Sequence, residues 1–129
     1  MPLIRVDALE GRSRKDVRCL LDAVHRAVLS AFKVPQRDRY QIYQEHPESH
    51  LIVEDTGLGI ERTINIVIVT VFSKSRTQEA KQAFYSDLCQ ELKTNCDIDP
   101  SDVMVCVVSN TESDWSFGNG RAQFITGEL

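Results

Sequence analysis

Closely spaced cysteine pairs are missing from this 129-residue sequence. Without a Cys-x-x-Cys motif, it matches neither a zinc ribbon nor a thioredoxin-like redox site. Three of its four cysteines sit among apolar residues, where cysteine behaves as a small hydrophobic side chain. We therefore expect a cytoplasmic protein with reduced structural thiols at Cys19, Cys89, Cys96 and Cys106.

Long apolar runs and an excess of positive charge are also missing. The longest apolar stretch, residues 64–72, is interrupted by Asn65 and Thr70 and is too short to span a bilayer. The first residues lack the basic-then-apolar pattern of a signal peptide. The formal net charge of −4 argues against a general nucleic-acid or membrane partner. It leaves open a small anionic substrate bound by a local pair of cations.

Common catalytic and metal-binding motifs are absent as well. His46 and His50 flank Pro47, which opposes helix, and they do not form a His-Glu-x-x-His motif, so both are expected in a loop. The Gly-Leu-Gly segment at 57–59 lacks the third glycine of a phosphate-binding loop and predicts a turn. His25 flanks an apolar helix face and is expected to be structural. We expect no metal and no cofactor.

The composition is that of one compact domain, with 42% hydrophobic and 26% charged residues. Residues 13–33 follow a helical period, with Ser13 as the N-cap. A second helix is expected to open at Ser75. The apolar positions of these two helices are Val17, Leu20, Leu21, Val24, Val28 and Phe32 in the first, and Ala80, Phe84, Leu88 and Leu92 in the second.

Strand-like segments surround both helices. They cover residues 3–6, 39–45, 51–53, 64–72 and 103–108, of which 64–72 is expected to be buried on both faces. This order predicts an α/β (α+β) fold: two tandem β-α-β units, at about 1–60 and 61–129, that form one four-stranded mixed sheet with both helices on one face. The other face would be bare and apolar, which predicts self-association. The glycine-broken aromatic tail, residues 114–129, is expected to pack on a neighbouring subunit.

Pro2, directly after Met1, is the first candidate for chemistry. Removal of Met1 would leave a secondary amine on a rigid ring, which is an acid when protonated and a base or nucleophile when neutral. Met-Pro starts also arise by chance, because proline makes up about 5% of average composition. The value of Pro2 therefore depends on the residues around it.

Three charged residues are candidates to surround that amine. Lys74 and Arg76, two residues apart in extended chain, would face the same side after the buried strand and could bind a carboxylate. The alternative is a pair of solvated surface cations. Asp38 could favour the protonated amine or orient a water, or it could simply pair with Arg37 or Arg39.

The sequence resembles the tautomerase superfamily and, within it, the malonate semialdehyde decarboxylase family. Besides Pro2 and the tandem β-α-β plan, the similar segments are residues 10–12, 20–23, 38–41, 54–59 and 114–122, in the same order along nearly the whole chain. The most specific are Glu-Asp-Thr-Gly-Leu-Gly at 54–59 and Asp-Trp-Ser-Phe-Gly-Asn-Gly-Arg-Ala at 114–122.

The resemblance implies a homotrimer whose sheets line a central barrel, with an active site around Pro2 near a subunit boundary. It implies that Pro2 is the catalytic amine, Asp38 its supporting acid, and Arg76 one of two arginines that bind the substrate carboxylate. Trp115 and Phe117 would form an apolar wall. The sequence departs from the family at Lys74, where the decarboxylase has the first arginine, so the charge is kept but the planar fork is lost.

The activity implied is a cofactor-independent decarboxylation of a small 3-oxo acid such as malonate semialdehyde, giving acetaldehyde and carbon dioxide. Two alternatives use the same proline: a keto–enol tautomerase and a hydratase of unsaturated acids. A third is a non-catalytic trimeric binding protein.

Overall fold

The computed structural model describes residues 1–129. Its strands are β1 (Leu3–Leu9), β2 (Tyr40–His46), β3 (Val67–Lys74) and β4 (Val103–Asn110). Its helices are α1 (Arg14–Phe32), α2 (Gln78–Cys96) and the short α3 (Gln123–Thr126). Single 3₁₀ turns at Glu48–His50, Pro100–Asp102 and Glu112–Asp114 complete the fold.

The four strands form one mixed sheet in the order β2-β1-β3-β4. Each β-α-β unit supplies a parallel pair, β1 with β2 and β3 with β4, and the two units meet where β1 runs antiparallel to β3. Leu3 lies opposite both Tyr40 and Phe72. The start of β1, the start of β2 and the end of β3 therefore meet at one edge of the sheet. The predicted α/β class and tandem topology are confirmed.

The core lies between one face of the sheet and the two long helices. Buried side chains alternate along β1 and β3, and burial on β3 is complete at Val67, Val69 and Val71. Phe84, Leu88 and Leu92 of α2 are buried against them, as predicted from the helical period. The prediction that this strand is buried on both faces is not met within the single chain, because its second face carries no helix.

The helices begin at hydroxyl caps. Ser13 accepts a hydrogen bond from the Asp16 backbone N–H, as predicted. The second helix begins two residues later than expected, because Thr77 rather than Ser75 is its cap and accepts from the Ala80 N–H at 3.1 Å. Each hydroxyl satisfies a backbone donor that the first helical turn leaves without a partner.

Two strand predictions between β2 and β3 are wrong. Residues 51–53 pair with no strand, and β3 begins at Val67 rather than at Ile64, whose side chain is exposed. The intervening loop is instead organised by Asp55, whose carboxylate accepts backbone N–H bonds from Gly57 and Gly59. These bonds lower the pKa of Asp55. The 54–59 motif is therefore the framework of a turn.

The histidine predictions have mixed outcomes. His25 is buried and its Nε2 lies 2.9 Å from the Gln36 carbonyl, which confirms a structural role. His50 lies on an exposed 3₁₀ turn. His46 is not in a loop but is the last residue of β2, with its Nε2 2.7 Å from Asp7 Oδ1.

All four cysteines are free thiols, as expected. Cys19 of α1 and Cys96 at the end of α2 are in contact, with their sulfur atoms 3.6 Å apart. Burial and the neighbouring thiol raise the pKa of Cys96 to about 12.

The open face of the sheet is less apolar than predicted. Tyr40, Ile42, Met104 and Val108 are exposed on it, with 40–47% of their surfaces accessible. The face also carries charge, since Arg5 and Asp7 form an ion pair at 3.1 Å. No helix of the protein is long and apolar enough to cross a membrane.

Replacement of Asp102 by alanine is expected to lower the free energy of unfolding by about 2–4 kcal/mol. Asp102 is 1% exposed, and its carboxylate accepts the Thr63 backbone N–H at 2.7 Å and the Thr63 hydroxyl. The substitution leaves both donors without their charged acceptor. Urea denaturation at fixed protein concentration measures the change. Asp99→Ala, which removes an exposed carboxylate nearby, is the control and should cost under about 0.5 kcal/mol; equal losses in both variants would contradict the prediction.

Candidate active site at the start of the first strand

The amino terminus lies at the edge where β1, β2 and β3 meet. The Met1 nitrogen is 3.6 Å from Asp38 Oδ2, and Pro2 is buried beneath it. With Met1 attached, the Pro2 nitrogen is a tertiary amide and the free amine belongs to Met1. The two nitrogens are separated by one residue of backbone, within about 4 Å of each other. Removal of Met1 would thus place the proline amine beside the same groups.

Asp38 is a buried carboxylate without a strong partner. Its side chain is 3% exposed, and Oδ2 accepts no hydrogen bond. The expected alternative, pairing with Arg37 or Arg39, does not occur, because Asp38 forms its ion pair with the Met1 amine and Arg39 binds Asp22 at 2.7 Å and Gln41 at 2.8 Å. Asp38 therefore remains available to the amino terminus, the one group with which it forms an ion pair.

Arg76 is a half-buried cation that forms no ion pair with a carboxylate of the chain. Its Nε donates to the Ser73 hydroxyl at 3.0 Å and its Nη1 to the Phe32 carbonyl at 3.3 Å. The guanidinium also lies over the Phe32 ring, 5.0 Å from its centroid. Burial lowers the pKa of Arg76, and Asp38 opposes that effect.

Lys74 is held by a different part of the protein. Its Nζ lies 4.0 Å from Glu112 Oε1 and 4.4 Å above the centroid of the Phe124 ring. Lys74 and Arg76 therefore have different partners within the chain, and Arg76 lies beyond the end of β3 at Lys74.

Lys74, Arg76 and Asp38 nevertheless all affect the pKa of the same amine, that of Met1. Burial is the largest effect on the pKa of the Met1 amine and lowers it, and Arg76 and Lys74 lower it further. The carboxylate of Asp38 raises the same pKa. The structure thus brings Lys74, Arg76 and Asp38 within electrostatic range of the amino terminus.

The aromatic residues of the tail stack against this edge of the sheet. Trp115 and Phe117 are stacked with centroids 5.4 Å apart, and Phe117 stacks on Tyr40 at 5.6 Å. Phe124 meets Phe117 edge-on at 5.5 Å, and the Trp115 Nε1 donates to Asn110 at 2.7 Å. Within the single chain, the tail packs on its own sheet; packing on a neighbouring subunit stays a prediction.

A cavity of about 380 Å³ opens between these groups. Met1, Asp38, Tyr40 and Phe117 are among the residues that line it. Of the predicted site residues, Asp38 and Phe117 line this cavity and Pro2 adjoins it, whereas Lys74, Arg76 and Trp115 do not line it. The other lining residues are Pro35, Arg37, Gln123, Glu128 and Leu129.

Sequence reasoning missed four residues that shape this region. The sequence marked Tyr40 only as an aromatic residue of a strand and Phe124 only as an aromatic residue of the tail. Of the two residues that bind the Arg76 side chain, Phe32 was predicted only as an apolar position of the first helix, and Ser73 was not predicted at all. No group of three or more His, Cys, Asp or Glu side chains comes together in a way that could hold a metal ion.

Comparison with known proteins agrees with this architecture. One family model described as tautomerase enzyme matches residues 38–118, and a second matches residues 2–60. The probable tautomerase YrdN of Bacillus subtilis (strain 168) is 54% identical over 129 residues, the full length of both chains. The chain belongs to the tautomerase family of enzymes.

Two solved structures narrow the relationship to the malonate semialdehyde decarboxylases. A malonate semialdehyde decarboxylase studied for its decarboxylase and hydratase activities is 45% identical, with a TM-score of 0.97, and the match covers 98% of each chain. The FG41 malonate semialdehyde decarboxylase inhibited by 3-bromopropiolate is 42% identical, with a TM-score of 0.94, over 98% of this chain and 97% of that one. A fused 4-OT symmetric trimer is 25% identical, with a TM-score of 0.78, and the match covers 97% of this chain and 98% of that one.

Proposed function

We propose that this protein is a cofactor-independent decarboxylase of a small 3-oxo acid such as malonate semialdehyde, and that the Pro2 amine is its catalytic acid. One observation carries the proposal: the amino terminus lies beside a buried carboxylate, Asp38, and within range of Arg76, a cation without a carboxylate partner. The positive charge of Arg76 therefore remains without a partner until an anionic ligand binds. The 42–45% identity to two malonate semialdehyde decarboxylases supports the same substrate class.

In the proposed reaction, Arg76 binds the substrate carboxylate so that its bond to the α-carbon stands perpendicular to the carbonyl plane. That bond breaks, carbon dioxide leaves, and the electron pair moves into the carbonyl group. Protonated Pro2 donates a hydrogen bond to the oxygen as it becomes an enolate. Protonation of the enolate carbon then gives acetaldehyde.

We assign the protonated form to Pro2 because of Asp38. Burial, Arg76 and Lys74 lower the pKa of the amino terminus, and Asp38, whose carboxylate lies 3.6 Å from the Met1 nitrogen, is the one group that raises it. The proposal therefore requires the Asp38 carboxylate to offset those effects on the Pro2 amine. A neutral Pro2 would instead form an iminium ion with the aldehyde. Borohydride added during turnover distinguishes the routes, since a reduced adduct on Pro2, detected by intact mass, would exclude the hydrogen-bonding mechanism.

The stacked side chains of Tyr40, Phe117 and Trp115 are proposed as the apolar wall of the site. An apolar wall disfavours the charged carboxylate relative to the neutral carbon dioxide that replaces it. The cavity of about 380 Å³ beside Asp38, Tyr40 and Phe117 is ample for the body of a three-carbon acid, and Arg76 lies outside its lining. Lys74, held near Glu112, would add a second, weaker attraction for the carboxylate.

The assembly proposed is a homotrimer of 129-residue domains. Each sheet leaves one face without a helix, and that face exposes Ile42, Met104 and Val108. Subunits of this fold form a symmetric trimer in fused 4-OT. Light scattering coupled to size exclusion should give about three times the 14.6 kDa chain mass; a monomer at micromolar concentration would contradict the assembly.

Release of acetaldehyde from malonate semialdehyde, followed through alcohol dehydrogenase and NADH, tests the activity.

A hydratase is the second candidate, because a relative has both activities and the free Oδ2 of Asp38 could accept a proton from water. A tautomerase is the third candidate, because a relative that is 54% identical is described as a probable tautomerase. Parallel assays with 3-haloacrylic or acetylene acids and with phenylpyruvate separate them. Inactivity with every substrate would favour a binding protein.

Lys74→Arg is expected to raise kcat/KM for malonate semialdehyde about threefold to tenfold. Arginine restores the planar fork that binds a carboxylate through two parallel hydrogen bonds, which lysine cannot do. Lys93→Arg, at the last turn of α2, makes the same exchange far from the site and is the control. A lower kcat/KM in Lys74→Arg alone would show that the lysine suits the site better and would contradict the prediction.

A further inference from the structure

Ser73 is the most deeply buried polar side chain next to the site. It is 0% exposed and faces the helices, on the same side of β3 as Val69 and Val71. Burying a hydroxyl among apolar residues costs free energy unless the hydroxyl is hydrogen-bonded. The hydrogen-bond partner of this hydroxyl is the Arg76 Nε, at 3.0 Å. The two side chains therefore depend on each other.

The bonds to Ser73 and Phe32 leave part of the Arg76 guanidinium free. A guanidinium carries five N–H donors. One is bound by the Ser73 hydroxyl and one by the Phe32 carbonyl, which leaves three donors, including both on Nη2. The free donors belong to a side chain that is half-buried and has no carboxylate partner.

Both holding groups are neutral, which preserves the charge of Arg76. The Phe32 carbonyl is at the last turn of α1, where the partial negative charge of the helix favours a cation. Lys74 differs, because its partner Glu112 is itself a carboxylate. Arg76 is thus oriented without being neutralised, and Lys74 is partly neutralised.

We propose that Ser73 is a positioning residue for carboxylate recognition: by binding Nε, it fixes the Arg76 guanidinium so that the remaining N–H groups bind the substrate carboxylate. The inference rests on the proposed function for the identity of the ligand. It assigns Ser73 no contact with substrate, since its hydroxyl is buried behind the guanidinium.

The binding experiment uses the only tryptophan of the chain, Trp115, as a fluorescent reporter within the stacked aromatic wall. The probes are acetoacetate, a 3-oxo carboxylate, and its uncharged methyl ester. Ser73→Ala should weaken acetoacetate binding about fivefold to tenfold and leave the Kd of the ester unchanged. If Ser73→Ala fails to fold, Ser73→Cys, which keeps the volume but is a weak acceptor, should show the same selective loss.

Ser109→Ala is the matched control. Ser109 lies directly opposite Ser73 on β4 and is exposed. Its replacement by alanine removes the same hydroxyl group as Ser73→Ala does. It should alter neither Kd. In the Arg76→Gln background, Ser73→Ala should have no further effect, because Ser73 is proposed to act only through Arg76.

Three results would overturn the positioning role: equal weakening of acid and ester, additive effects of the Ser73 and Arg76 substitutions, or no preference of the wild type for the acid. The decarboxylase proposal fails separately. If the wild type prefers acetoacetate but releases no acetaldehyde from malonate semialdehyde, the function is wrong and the role of Ser73 stands.

Discussion

Protein that retains Met1 is expected to be at least about 10²–10³-fold slower as a decarboxylase than protein from which Met1 has been removed. With Met1 attached, the Pro2 nitrogen is an amide that neither binds nor donates a proton. The Met1 amine, although it reaches Asp38 at 3.6 Å, is on a flexible chain rather than a ring and is displaced by one residue. Expression of the same gene with and without excess methionine aminopeptidase supplies both forms, and intact mass quantifies them.

Carboxylate binding and folding are the controls for this experiment. Ser73 and Phe32, which hold Arg76, are far from the amino terminus in sequence. Both forms should therefore bind a carboxylate alike, and their unfolding temperatures should agree within a few degrees. Activity that follows the fraction of cleaved protein is the expected result. Full activity in a sample that is wholly uncleaved would remove Pro2 from the mechanism.

Arg76→Gln is expected to lower kcat/KM about 10²–10³-fold, corresponding to about 3–4 kcal/mol, the cost of removing one partner of the charge pair that Arg76 is proposed to form with the substrate carboxylate. Glutamine can still bond to Ser73 but lacks the charge and the fork that a carboxylate requires. Inhibition by propionate, a competing carboxylate, should be lost to a similar degree. Steady-state kinetics at saturating and limiting substrate separate binding from turnover.

Arg14→Gln is the control for charge alone. Arg14 is an exposed arginine at the start of α1, the opposite end of that helix from the Phe32 carbonyl that binds Arg76. Its replacement changes the net charge equally and should alter kcat/KM less than about twofold. A comparable loss in both variants would mean that long-range attraction, rather than a carboxylate contact at Arg76, accounts for the effect.

The site contains charges that folding alone does not satisfy. Asp38 Oδ2 accepts no hydrogen bond, and Arg76 loses hydration without gaining a carboxylate partner. A buried charge without a partner destabilises a folded chain, and an anion that pairs with the Arg76 guanidinium recovers part of that cost. Strong binding of a small anion is therefore compatible with a modest cavity and few direct contacts.

The sequence by itself determined the elements and their order. Helical periodicity and the Ser13 cap located α1, and the β-branched run at 64–72 located β3 although the strand itself begins at Val67, because these signals depend on residues close together in the chain. The tandem β-α-β order then restricted the topology to parallel pairs joined by helices. Residue chemistry singled out Pro2, Asp38, Lys74 and Arg76, and the resemblance to one family implied their roles and added Trp115 and Phe117.

Only the tertiary structure decided which partner each charged group has. Arg39 binds Asp22, 17 residues away, which is what leaves Asp38 free beside the amino terminus. Arg76 binds the Phe32 carbonyl, 44 residues away, whereas Lys74 lies against the tail at Phe124. These choices depend on distances of a few ångströms between segments that the fold brings together, and local sequence patterns contain no information about such distances.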